Sequence, residues 1–153
     1  MADPSMTTTL STVERAAIGW ECERLIHHYS MLNDAGDFTA MVELITEDGA
    51  FARPSDSANL VRGRDAILAL YTGRPARFSR HMITSVVITV EDEDNASGVS
   101  YLALHTASDA QGPLPHKADP AYLIGAFHDR FARIGGEWKF TERRGSLSLK
   151  VGG

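Results

Sequence analysis

The stretch "FSRHMITSVVITV", residues 78–90, is dense in β-branched residues and reads as a strand. Alternation puts His81, Ile83, Ser85 and Val87 on one face, and Arg80, Met82, Thr84, Val86 and Ile88 on the other. Both faces carry apolar residues, so periodicity leaves open which one looks inward. Downstream, "EDEDNASG" is a turn-rich break and "VSYLALHTAS" a second strand. "DAQGPLPHKADP" is a loop with three prolines. "AYLIGAFHDRFARI" and "EWKFTERRGSLSLKV" then form two long strands joined by Gly135-Gly136, a hairpin signal.

Upstream of residue 78 the pattern is helical. Ile18, Cys22, Leu25, Tyr29 and Leu32 recur at spacings of three and four, one apolar stripe that stops at Gly36. Asp37 reads as the N-cap of a second helix, with Phe38, Met41, Val42, Leu44 and Ile45 as its buried set. "TEDG" reads as a turn, "AFARP" as a short strand, "DSANLVRG" as a loop or hairpin, and "RDAILALYTG" as a third helix closed by Gly73. Helices first and antiparallel strands after is the α+β order. A curved sheet packed on its helices, with a small-molecule pocket at the open end, is the simplest arrangement. Residues 1–11 are small and polar and read as a disordered tail, followed by one domain over residues 12–150.

A chain of 153 residues suits one core. The net charge of −5 argues against a nucleic-acid surface, which needs clustered Lys and Arg. No apolar run approaches the ~18–20 residues of a membrane helix, and no secretory signal pattern opens the chain. Cys22 is the single cysteine, so a disulfide within the chain is impossible. These features lead to the expectation of a cytoplasmic protein that contacts neither membrane nor nucleic acid. HExxH, compact His/Cys clusters, phosphate loops and GxSxG elbows are absent from the sequence, so neither metal nor cofactor is expected.

Among polar residues, Asp34 lies five positions after Tyr29, where the first helix ends. On spacing alone its plainer reading is a turn residue, and that of His81 a surface or satisfied core group. The functional reading needs the two to meet: a buried aspartate would orient the imidazole and fix its tautomer, leaving the other ring nitrogen as acid or base. His105 and Tyr101 share a strand face. Arg143 and Arg144 point oppositely, as do His128 and Asp129. An arginine facing a pocket could bind a substrate oxygen. His27 and His28 fall at the margin of the helix.

The succession "YSMLNDAGDFTAMVELITEDGAF", "VRGRDAI", "SRHMITSVVI" and "GAFHDRFARIGGEWKFTERR" resembles the SnoaL-like family of the nuclear-transport-factor-two-like superfamily, over about residues 12–148. The resemblance implies a cone-shaped cystatin-like α+β fold: a curved, mostly antiparallel sheet around N-terminal helices and an apolar pocket. In dehydratase-like members a helix tyrosine, an aspartate ending that helix and a histidine opening a strand work together. The matching positions are Tyr29, Asp34 and His81, so the resemblance implies that Asp34 and His81 meet. The arginine of "WKFTER" matches Arg143. Ser85 stands where many relatives carry asparagine, and Phe127 where they carry a tyrosine.

The expectation is therefore a cofactor-independent lyase or isomerase acting on a hydrophobic, ring-containing small molecule. Asp34, His81 and Tyr29 carry the chemistry, and Arg143, His105, Tyr101 and Ser85 bind substrate. The alternatives are a non-catalytic ligand-binding module and an assembly protein like the small subunits of ring-hydroxylating dioxygenases. Apolar residues on both faces of 80–90 further suggest a covered outer surface, hence a homodimer or homotrimer.

Overall fold

The computed structural model describes residues 9–153. Helix α1 spans Thr12–Ala35. Ser11 opens it with a capping box: its hydroxyl accepts from the Glu14 N–H at 3.1 Å, and the Glu14 carboxylate accepts from the Ser11 N–H at 2.6 Å. Leu10 packs partly against the core. Ser11 and Leu10 thus belong to the folded domain and not to the expected tail, whose residues 1–8 lie outside the described residues. The face that α1 buries carries Ile18, Cys22, Ile26, Tyr29 and Asn33. Leu25 and Leu32 sit at its half-buried margins, because the true track runs mainly in steps of four.

Gly36, at φ 72°, closes α1 in the left-handed conformation that glycine tolerates best. Asp37 caps α2 (Phe38–Val42) by accepting from the Ala40 N–H. Strand β1 (Ile45–Ala52) follows, a 3₁₀ turn covers Pro54–Asp56, and β2 (Val61–Arg62) forms a short hairpin arm with β1. Helix α3 (Arg64–Thr72) comes next, then the long strands β3 (Phe78–Val90), β4 (Asn95–Ala107), β5 (Tyr122–Ile134) and β6 (Glu137–Val151). "TEDG" is not a free turn. It lies inside β1, where pairing with β6 slips between Ile45 and Ala50.

The six strands make one curved sheet in the order β2-β1-β6-β5-β4-β3. All neighbours are antiparallel except β1 and β6, which run parallel. Gly135 and Gly136, at φ 58° and 83°, supply the two left-handed residues of a tight hairpin between β5 and β6. The core lies between the helices and the inner sheet face, where Cys22, Ile26, Tyr29 and Ile67 meet Phe51, Phe127, Phe131 and Phe140.

In β3 the alternation breaks. Thr84 pairs with Tyr101 and Val87 with Val99, so Ser85 and Val86 both face Ser100 across the ladder. This is a β-bulge, and Ser85 takes it up at φ 52°. Before the bulge Ser79, His81 and Ile83 turn inward; after it Val86, Ile88 and Val90 do. The expected grouping of His81 with Ser85 and Val87 therefore holds only as far as Ile83.

Candidate active site

The C-terminal turn of α1 abuts the start of β3, and one carboxylate joins them. Asp34 Oδ1 lies 2.6 Å from His81 Nδ1 and accepts from the Ser79 hydroxyl at 2.9 Å. Asp34 Oδ2 accepts from the His81 backbone N–H at 2.8 Å. Both side chains retain only about a tenth of their exposure. Burial pushes the Asp34 carboxyl up, but hydrogen bonds from the His81 ring, the His81 amide and Ser79 outweigh it and hold the group below its ordinary value. The carboxylate is therefore ionised near neutrality. It can only accept, so the proton of this contact sits on Nδ1. In the neutral imidazole the free lone pair is then on Nε2, which has no hydrogen-bond partner among the described residues.

His81 lines a cavity of about 410 Å³, within the range of small-molecule sites. Leu102, Leu104, Leu123 and Phe127 supply much of the apolar wall. Leu104 stands directly across the ladder from His81. Polar groups enter from the helix side. Asn33 accepts on Oδ1 from Arg74 Nη2 at 2.8 Å, and its own amide N–H groups make no hydrogen bond among the described residues. The Tyr71 hydroxyl is 3.0 Å from that of Tyr29. Burial pushes both phenols above their ordinary value, so both stay protonated. Tyr71 reaches the cavity wall, whereas Tyr29 lies behind it, edge-on to Phe140.

The structure brings Asp34 and His81 into contact and sets Tyr29 one hydroxyl away from the cavity, with Tyr71 between. Arg143 is not at the wall. Its guanidinium is buried among the rings of Phe127, Tyr29 and Phe140, at 4.0, 4.5 and 4.9 Å, and its Nε donates to Asp129 Oδ1 at 3.1 Å. Ser85, Tyr101 and His105, expected to bind substrate, do not line this cavity. Ser85 sits exposed on the bulge, and Tyr101 pairs with Thr84 on the outer sheet face. His105 pairs with Arg80 on that same face and stacks on Tyr122 at 4.5 Å. The inward residues of "YLALH" are Leu102 and Leu104 instead. None of residues 109–120 lines the cavity; Asp119 ties that loop to Thr106 and Ser108.

Asn33, Tyr71, Arg53, Arg74 and Arg77 line the cavity and were not singled out from sequence. Asn33 had a signal: it follows Tyr29 by one helical turn on the buried track. "RPAR", two arginines just past the Gly73 stop, was another. Among the described residues no group of three His, Cys, Asp or Glu is placed to hold a metal, and no helix is long and apolar enough to cross a membrane.

Several solved structures share this architecture. A proposed scytalone dehydratase from Novosphingobium aromaticivorans superposes with a TM-score of 0.78 at 20% identity, covering 94% of this chain and 92% of its own. A type 2 hexachlorocyclohexane dehydrochlorinase gives 0.77 at 14% identity, covering 93% of each chain. An NTF2-like protein with a cystatin-like fold, also from Novosphingobium aromaticivorans, gives 0.70 at 24%, covering 94% and 92%. These likenesses establish the cystatin-like fold. No curated protein matches the sequence. The model of the SnoaL-like domain family matches residues 14–144, nearly the whole described chain, and the protein belongs to that family.

Proposed function

We propose that this protein is a cofactor-independent lyase or isomerase of the dehydratase kind, acting on a hydrophobic ring-containing small molecule. The observation that carries the reading is the Asp34–His81 contact at the wall of an apolar cavity. In this reading the neutral imidazole takes a proton from a carbon next to a carbonyl through Nε2. Asp34 holds the ring and stabilises the imidazolium that forms. The imidazolium then returns the proton to a departing hydroxyl, giving water and an alkene, or to another carbon, giving an isomer. Tyr71, backed by Tyr29, and the amide of Asn33 are donors for the oxygen on which charge develops. Tyr29 thus acts through Tyr71. Side chains alone move the proton, so the scheme calls on no cofactor.

The test is proton exchange. Cyclic ketones and β-hydroxy ketones of one to four rings are incubated with the protein in D₂O, and deuterium at the α-carbon is read by mass spectrometry. The expected outcome is exchange by the wild type with at least one of them, falling about 10²–10⁴-fold in His81→Gln. Asp34→Asn should lose a large part of the rate and change the titration of the His81 imidazole protons in NMR. Exchange that His81→Gln leaves intact, or no exchange with any of the set, overturns the reading.

A further inference from the structure

The chain carries 20 acidic and 15 basic residues, yet no aspartate or glutamate lines the cavity, while three arginines, Arg53, Arg74 and Arg77, do. Among the described residues none of the three forms a salt bridge, although seven ion pairs occur elsewhere. They come from two connections that meet at the cavity: Arg53 from the end of β1 and Arg74 and Arg77 from the segment between α3 and β3. Arg74 is the most deeply set. Its guanidinium lies over the rings of Tyr71 and Phe38, at 4.7 and 5.2 Å, and Asn33 Oδ1 takes one of its N–H groups. The remaining donors are free for a ligand.

We propose that the molecule this cavity takes is an amphiphilic anion, its apolar ring body against Leu102, Leu104, Leu123 and Phe127 and its carboxylate or comparable oxyanion held by Arg74 and flanked by Arg53 and Arg77. This deepens the acid–base reading of the same cavity and rests on it for calling the cavity the substrate site. The physical case is one of unbalanced charge. Burial and the neighbouring charges of Arg77 and Arg53 push the Arg74 guanidinium below its ordinary value. An oxyanion there relieves that repulsion, and the planar fork matches a two-oxygen acceptor. On a chain of net charge −5, a cationic rim also attracts anions to this opening. The rim fixes one end of the ligand, so the ring body faces His81 in a set orientation.

Calorimetric titration with 2-naphthoate, 2-naphthyl phosphate and 2-naphthamide tests it, since the three share a ring body and differ in the head group. In the wild type at low salt at least one anion should bind about tenfold or more tighter than the amide. The better of the two identifies the head group. That preference should collapse to within about twofold in Arg74→Gln, and drop in the double variant Arg53→Gln/Arg77→Gln, whose exposed positions do not threaten folding. It should persist in His81→Gln, which removes any imidazolium contribution. An amide that binds as well as both anions, failure of all three to bind, or a preference untouched in both arginine variants overturns the proposal. Proton exchange lost while the anion preference survives removes the acid–base reading and leaves this one standing. The opposite pattern does the reverse.

Discussion

Asp129 and Arg143 face each other across β5 and β6 with almost no side-chain exposure. Only one hydrogen bond joins them, from Arg143 Nε; Asp129 Oδ2 and Arg143 Nη2 are buried with no partner among the described residues. Burial pushes the Asp129 carboxyl up to about 6, more than Arg143 and His128 pull it down. A carboxyl raised in the native state holds a proton that the unfolded chain has released between pH ~3.9 and about 6. Its contribution to stability therefore declines as pH rises through that window. Asp34 has the opposite sign: held below its ordinary value, it adds stability above that value and loses it as the pH falls through the folded one. Arg143→Met leaves the buried Asp129 without its cation, so the folded chain must either keep an unpaired carboxylate or take up a proton, and this should cost about 3–5 kcal/mol at pH 7. The cost should shrink at pH 5, where Asp129 is protonated. Urea unfolding at the two pH values measures it, and an equal cost at both would refute the stranded-charge account. At this scale the Asp34–His81 pair was legible only through the family pattern, because spacing says nothing of a carboxylate's direction at a helix end. Alternation set Arg143 and Arg144 on opposite faces without saying which is inner, and only the family pattern singled out Arg143; no pattern in sequence reports that three aromatic rings and an aspartate would enclose it.

The bulge in β3 explains the largest local error. Periodicity assumes an unbroken pleat, and Ser85 adds a residue that shifts every later side chain of the strand to the other face. Nothing in "HMITSVVITV" marks it, since serine is no signal for a left-handed residue. In β4 the difficulty was different. Tyr101, Ala103 and His105 alternate with Leu102 and Leu104, both sets carry apolar residues, and alternation assigns two faces without saying which is inner. The bulge itself is testable. A non-glycine residue at φ 52° carries a cost of about 1–2 kcal/mol that glycine avoids, less glycine's own entropic penalty of roughly 0.5–1. Ser85→Gly should therefore stabilise the protein by about 0.5 kcal/mol, and Ser85→Val, β-branched, should destabilise it by about 1 kcal/mol or more. Thermal unfolding of both variants decides. If the valine is tolerated and the glycine is not, the left-handed turn is not present in solution.

For the whole molecule, the α+β order, the hairpin at Gly135-Gly136 and the helix stops at Gly36 and Gly73 were all visible, because capping and turn chemistry are local. The parallel pairing of β1 with β6 was not, because it joins strands from opposite ends of the chain. The outer sheet face has a consequence at this scale. Met82, Ala103, Ile124 and Leu149 lie opposite one another on successive strands, an apolar row across β3, β4, β5 and β6. Met82 is 59% exposed and Leu149 58%, and Val87 and Tyr101 flank the row at 64% and 52%. Helices cover the inner face, and monomers seldom leave so continuous an apolar strip in water. A second copy of the chain is the expected cover, since a closed symmetric assembly buries the same strip on each subunit. Light scattering on the eluting protein should give a dimer or a trimer, and Met82→Glu/Leu149→Glu should shift it toward monomer while leaving the inner cavity intact. A wild-type mass near 16.7 kDa would refute the assembly and leave the row exposed.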